Sequence, residues 1–255
     1  PPFSGPSEGV HIHAAANPYS EAAYAATVLK SWHEAGIPWK HMAVALGGSG
    51  GLDGMMAVTL QAAGIPHYIA RKDVAARHGL CRLLLGALRA STKGYARDDV
   101  LDMAKSGFSP LTVREAHHLE NYAIENGITR GKWQKPFTRG DKAADMEPLR
   151  QRLMAPVIQL HDDLVAASCA DQSVEAVMAF LTAVNAYDNL ILREEELLRR
   201  GMMAEASQNR QVWQILMGLM DQLHTLLGDK RATLKEMARF VEAGLTSAAI
   251  SAVPP

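Results

Sequence analysis

The stretch Gly94–Trp133, GYARDDVLDMAKSGFSPLTVREAHHLENYAIENGITRGKW, is where this 255-residue chain changes structural class. It opens with a helix around Asp99-Val100-Leu101 that closes at Lys105-Ser106-Gly107. Thr112 and Glu115 then have capping-box spacing, in which hydroxyl and carboxylate satisfy orphan amides reciprocally, so a new helix starts there. That helix carries Leu119-Glu120-Asn121-Tyr122 and ends at Asn126-Gly127-Ile128. Upstream of this stretch, strand-like runs alternate with helices. Downstream, only helical periodicity is left.

The upstream part begins with a strand-like run at Val10 to Ala14. A helix from Pro18 to Ala35 follows, with Asn17 as N-cap, Pro18 at the first helical position and Gly36 as its end. Next come a strand from Met42 to Leu46, a glycine-rich turn at Gly47 to Gly51 and a helix through Met55, Val58 and Leu60 closed by Gly64. A strand from Ile65 to Ala70 completes the series. The connections carry helices, so parallel pairing with right-handed crossovers is expected. From about Ala75 onward helical stripes take over. They are Leu149, Leu153, Val157, Leu160 and Leu164, then Val177, Leu181, Val184 and Tyr187, then Val212, Ile215, Leu219, Leu223 and Leu226. Thr233 and Glu236 repeat the capping-box spacing, and Pro156 predicts a kink because it removes a backbone donor. Gly127 to Gly140, punctuated by glycine and proline, reads as an exposed loop.

A hydrophobic content of 48% with 21% charged residues describes a globular chain able to bury a sizeable core. The net charge of -1 excludes a uniformly basic nucleic-acid coat, so any DNA contact must be a local patch. Cys81 and Cys169 lie far apart in apolar helical surroundings and read as buried thiols, with no disulfide or zinc pattern. No run approaches a membrane span, and the first residues lack the pattern of a signal peptide, so a cytoplasmic location is expected. The start without methionine and the end at Pro255 read as those of a piece of a longer protein.

Few residues have the pattern of chemistry. The turn at Gly47 to Gly51 lacks the lysine and hydroxyl of a phosphate loop, and Asp53 would repel an anion there. His11 and His13 share a strand face without a recognisable third ligand. His117 and His118 point in different directions on a helix. His161-Asp162-Asp163 has the adjacent histidine and aspartate of metal-dependent phosphohydrolases but not the further ligands, and reads as a solvated helix face. Glu194-Glu195-Glu196 with Arg199-Arg200 reads as an exposed, salt-bridged helix end. The basic and aromatic cluster of note is Arg130, Lys132, Trp133, Lys135, Phe137, Arg139 and Lys142. It could hold single-stranded nucleic acid, with cations on phosphates and a ring under a base. Alternatively, the two aromatics pin the loop to the helical part while the charges stay in water.

The chain resembles the AddB (RexB-type) component of the AddAB ATP-dependent helicase–nucleases. The resemblance rests on Asn17-Pro18-Tyr19-Ser20-Glu21, Ile37-Pro38-Trp39, Ala63 to Ile69, His78-Gly79-Leu80, Asp98-Asp99-Val100, Lys105 to Phe108, Leu119 to Tyr122, Gly127-Ile128 and Trp133. Weaker echoes are at Phe240 to Leu245 and Ile250 to Pro254. It implies an α/β chain, mostly α, with a partial RecA-like parallel sheet and flanking helices over residues 1–108. A helical insertion over 109–250 would follow. It also implies a role in double-strand break repair beside an AddA-type partner (the A subunit), with ATP, magnesium and an iron–sulfur cluster bound elsewhere in the parent. Gly47 stands where active relatives carry a nucleotide-contacting arginine, so this piece is expected to be a non-catalytic, DNA-guiding scaffold without a cofactor of its own. Gly79 departs from the proline usual in that family, with a local effect on the turn. The contact expected with DNA is Arg130, Lys132, Trp133, Lys135 and Arg139. The alternatives are a nucleotide- or small-molecule-binding α/β enzyme, and a module that docks a partner protein.

Overall fold

The computed structural model describes residues 9–47, 51–69 and 72–251, which form two compact units divided between Arg71 and Lys72. The first unit holds α1 (Pro18–Glu34) and α2 (Leu52–Ala62). Asn17 starts α1 as expected: its side chain accepts the Ser20 N–H at 2.9 Å, and the Ser20 hydroxyl accepts the Asn17 N–H at 3.1 Å. Reciprocal capping of this kind is worth about 1 kcal/mol, because two orphan amides keep a partner. Ala22, Ala26 and Leu29 of α1 pack with Met56 and Leu60 of α2 and with Ile65 in a small separate core.

The three strands expected in this unit do not form. Val10 to Ala14, Met42 to Leu46 and Ile65 to Ile69 have no ladder partner, and Ala70 lies outside the described residues. Alternating apolar residues specify a strand only when a neighbouring backbone takes up its amides and carbonyls. Without that neighbour Ile12 is 97% exposed, and Val10, Val44, Leu46 and Tyr68 are exposed as well. The chain is therefore mostly helical, and no parallel sheet forms among the described residues. Of the glycine-rich turn, Gly48 to Gly50 lie outside the described residues.

The second unit is built around α3 (Gly79–Lys93), which is apolar on nearly all sides. Leu80, Cys81, Leu83, Leu84, Leu85 and Leu88 are all buried. A helix buried all round has to be surrounded by other helices, since one partner covers one stripe only. The partners are α4 (Arg97–Ala104), α6 (Ala143–Ala166) and α10 (Leu234–Ser247). Around them stand α5 (Val113–Glu125), α7 (Ala170–Ala183), α8 (Ala186–Arg199) and α9 (Met203–Leu227). Both expected capping boxes are present, at Thr112 with Glu115 and at Thr233 with Glu236. The α6 stripe is buried at Leu153, Val157, Leu160 and Leu164, and the helix runs through Pro156. A two-stranded antiparallel sheet, β1 (Lys72–Val74) with β2 (Ala249–Ser251), joins the ends of the unit in the register Asp73 to Ile250. Three-residue strands are too short to leave a periodic signal. The domain division expected after residue 108 falls inside this unit.

Four local readings change. The α9 face that is buried is Val212, Leu216, Met220 and Leu223, while Leu226 is exposed. That helix has apolar residues on several sides, and its neighbours choose among them. Tyr187 belongs to α8 and is exposed, because the chain turns at Asn185 in a left-handed conformation. Glu194 is buried and pairs with Arg210 of α9, so the acidic triplet is only partly solvated. Cys169 is half-buried at the entrance to α7, whereas Cys81 is fully buried.

Two glycines report how tightly the helices cross. A Cβ on Gly86 would lie 2.9 Å from Met103 Cβ and 3.3 Å from Met103 Cα, so α3 and α4 meet at a point that only glycine permits. A Cβ on Gly244 would meet the tip of the Leu219 side chain, which can rotate away. Gly86→Ala is expected to lower stability by roughly 1–3 kcal/mol through overpacking. Gly244→Ala should be close to neutral, since a gain in helix propensity of about 1 kcal/mol offsets the repacking. Denaturant unfolding checks this, and equal midpoints for the two variants would contradict it.

Candidate nucleic-acid interface

The basic segment between α5 and α6 owes its shape to how α5 ends. Gly127 adopts a positive φ of 58°, and the Ile128 N–H returns to the Ala123 carbonyl at 2.8 Å, a closure that glycine accommodates without strain. Ile128 is buried, which turns the following residues back along the helical body. Arg130 also has a positive φ, 53°, and its N–H donates to the Tyr95 carbonyl at 2.8 Å. One turn of 3-10 helix, Arg130–Gln134, then delivers Trp133 into the core.

Trp133 is 0% exposed and Phe137 is buried beside it, with ring centroids 5.8 Å apart. Tyr122 packs on Phe137 at 4.9 Å and donates its hydroxyl to the Arg139 carbonyl at 2.7 Å. The ring of Trp133 thus holds the segment in place and lies out of reach of a base.

The segment is bolted down by a charge pair on α6. Arg150, 6% exposed, donates Nη1 to the Trp133 carbonyl at 3.0 Å and grips both oxygens of Glu147 at 2.8 and 2.6 Å. Glu147 also accepts the Phe137 N–H at 2.8 Å. The pair satisfies two backbone groups of the loop that burial would otherwise orphan. The Arg150 hydrogen bond, together with that from the Phe137 amide, holds the Glu147 carboxyl down to about 2.

What the loop shows to water is cationic. Arg130, Lys132, Lys135, Arg139 and Lys142 are exposed, against the single carboxylate of Asp141 between residues 126 and 142. Lys132 Nζ donates to the Gly127 carbonyl at 2.7 Å. The side chains of Arg130, Lys135 and Arg139 have no hydrogen bond or ion pair among the described residues. Four of the five residues expected to meet DNA therefore share one ordered surface, and the fifth, Trp133, anchors it from beneath.

The other sequence candidates are not assembled into sites. His13 stacks on Tyr24 at 3.6 Å, and His161 meets the edge of Tyr95 at 5.9 Å. Asp163 accepts from Gln159 on its own helix. No group of three or more His, Cys, Asp or Glu residues that could hold a metal ion occurs among the described residues. Two cavities escaped sequence reading, because their walls come from distant segments. One, of about 400 Å³ between α3 and α10, carries Arg89, Lys93, Lys235 and Arg239 over Leu85 and Leu88. The other, of about 370 Å³, lies at the start of α3.

Removing one member of the Arg150–Glu147 pair leaves the other buried and uncompensated. Glu147→Ala should destabilise the second unit by roughly 3–5 kcal/mol. A carboxyl held below its ordinary value of 4.5 contributes stability at higher pH that is lost as pH falls from there toward about 2. Urea unfolding of wild type and Glu147→Gln across that range should show a smaller acid loss in the variant, and parallel curves would contradict the assignment.

No family model matches the chain. The chain is 28% identical over 266 aligned positions to the AddB-type ATP-dependent helicase/deoxyribonuclease protein of Alkaliphilus metalliredigens, a match covering 96% of this chain and 23% of that protein. The protein of the same name from Heliobacterium modesticaldum is 28% identical, with all of this chain and 22% of that protein covered. That of Alkaliphilus oremlandii is 23% identical, over 99% of this chain and 24% of that protein. The chain spans less than a quarter of the length of these curated relatives. It is thus homologous over nearly its whole length to the AddB component of ATP-dependent helicase/deoxyribonucleases, and is consistent with a fragment of such a protein.

Proposed function

We propose that this chain is a non-catalytic, DNA-guiding region of the AddB component of an ATP-dependent helicase–nuclease that acts in double-strand break repair. The observation that supports it best is the loop before α6, where exposed cations ride on a backbone fixed by buried aromatics and by Arg150 with Glu147. An ordered row of cations binds a phosphate backbone without first losing loop entropy. With its ring buried, Trp133 positions the loop, and the direct contacts fall to Arg130, Lys132, Lys135 and Arg139.

The finer architecture belongs to the same proposal. Residues 1–108 are the RecA-like part, whose exposed runs at Val10 to Ala14 and Met42 to Leu46 gain neighbouring strands in the intact protein, and 109–250 are the helical insertion. The A subunit of the helicase–nuclease is the partner. ATP, magnesium and the iron–sulfur cluster belong to other parts of the parent. An iron–sulfur cluster takes four thiolates, and this chain has two cysteines, of which Cys81 is buried with its thiol pushed up to about 12. The residues here do not fit that cluster. Gly47, exposed and without a side chain, cannot supply the charge that nucleotide hydrolysis uses at that place.

The isolated chain should bind a single-stranded oligothymidylate in fluorescence anisotropy, with affinity falling as salt rises. Lys132→Glu with Lys135→Glu should weaken binding at least tenfold and lower the salt slope by about 0.7 for each lost phosphate contact. Unchanged binding would leave the loop a structural anchor. No magnesium-dependent cleavage or ATP hydrolysis is expected, and robust nuclease activity, or saturable stabilisation by a mononucleotide, would favour an enzyme instead.

A further inference from the structure

The cavity at the start of α3 is built from segments far apart in the chain. Its wall includes Arg77 and Arg82 from either side of the helix start, Arg193 from α8, Ser106 from the turn after α4, and Asp73 of β1. Gly79 is the first residue of α3, and a Cβ there would lie 2.5 Å from the Ser106 carbonyl and 2.8 Å from the Phe108 ring. Glycine therefore lets the 106–108 turn close against the helix entrance.

Each polar group around this cavity has a defined state. His78 is the N-cap: its Nδ1 accepts the Leu80 N–H at 3.2 Å, so its Nε2 carries the proton and donates to Asn209 Oδ1 at 2.8 Å. Burial lowers the His78 pKa, the Asn209 bond opposes this, and the Arg193 charge adds to it, so the ring stays neutral. Arg193 lies over Phe108 at 5.2 Å and donates to the Gly107 carbonyl at 3.1 Å, which fixes its guanidinium at the rim. Arg82 is held from the side by Asp102 of α4. Arg77 has no hydrogen bond or ion pair among the described residues. Ser106, 7% exposed, accepts the Phe108 N–H through Oγ at 3.2 Å, and its own O–H has no acceptor among the described residues.

Three guanidinium groups thus surround the positive end of a fifteen-residue helix, with Asp73 as the carboxylate of the wall and a buried hydroxyl left with a proton to give. That combination suits a tetrahedral oxyanion. Guanidinium forks match phosphate geometry, and the helix entrance adds its partial positive charge.

We propose that this cavity is a phosphate-binding site, in which Arg77, Arg193 and the Ser106 hydroxyl hold the oxygens of one phosphate group. The group is either a backbone phosphate of a nucleic acid or the phosphate of a small molecule. The site lies at the opposite end of α3 from Gly94 and Tyr95, where Arg130 of the basic loop is attached, so the two stand or fall separately.

Amide shifts of the 15N-labelled chain during titration, at constant ionic strength, test the site. The probes are inorganic phosphate, an oligothymidylate, and chloride as control. Saturable shifts confined to Gly79–Arg82 and Ser106–Phe108 are expected. Saturation by the oligonucleotide alone identifies a backbone phosphate, and saturation by inorganic phosphate identifies a phosphate group as sufficient. Arg77→Ala should weaken the response at least fivefold, and Ser106→Ala should weaken it with its fold intact. Arg193→Ala is the less secure variant, because Arg193 also packs on Phe108. Lys132→Glu should leave these shifts unchanged, even where it abolishes DNA binding by the loop. No saturable shift with either probe, or an unaltered response in Arg77→Ala, would overturn the proposal.

Discussion

Everything in the larger unit follows from having to bury α3 on all sides. Its six large buried residues, from Leu80 to Leu88, contribute on the order of 1.5–3 kcal/mol for each large aliphatic side chain removed from water. No single partner can cover them, so α4, α6 and α10 are drawn to different faces of one helix. The glycine at Gly86 brings α4 close, and β1 with β2 ties the ends of the unit together. Both ends of α3 then become fixed points. The loop of Arg130 hangs from Tyr95 beyond its C-terminus, and the arginine-lined cavity opens at its N-terminus.

The second constraint is the buried Arg150–Glu147 pair. A charge pair in a protein interior is a weak source of stability, because desolvation offsets much of the attraction. Here its use is positional. Both partners spend their hydrogen bonds on the loop backbone, at the Trp133 carbonyl and the Phe137 amide. The loop is thereby ordered while five of its side chains stay cationic and exposed. A loop held only by its aromatic residues would fix its anchors but not the direction of the residues between them.

How far the fold could be read from sequence depended on whether the determining interaction was local. Asn17, Thr112 with Glu115, and Thr233 with Glu236 act within one turn, and each marks its helix start in both sequence and structure. The register of α9 was not legible, because Ile215 and Leu219 are as apolar as Leu216 and Met220, and only the packing of neighbouring helices selects the latter pair. The strand-like runs before residue 70 fail for a related reason: a strand is defined by a partner, and the described residues offer none. Of the candidate site, the basic residues were legible as a charge cluster, whereas the bolt was not. Glu147 and Arg150 have the spacing of an ordinary surface pair, and nothing nearby says that a loop will cover them. The cavity at α3 combines Arg82 with Arg193, a pairing that no sequence window contains.

The central claim is that the loop before α6 lies against a DNA strand. A photo-crosslinking amino acid in place of Lys135, irradiated with a single-stranded oligothymidylate, tests it at the residue itself. The account predicts a covalent adduct that added salt and unlabelled oligonucleotide suppress, and none from the same group in place of Val165, an exposed residue near the far end of α6. Equal crosslinking at both positions, or adducts at Val165 alone, would contradict it.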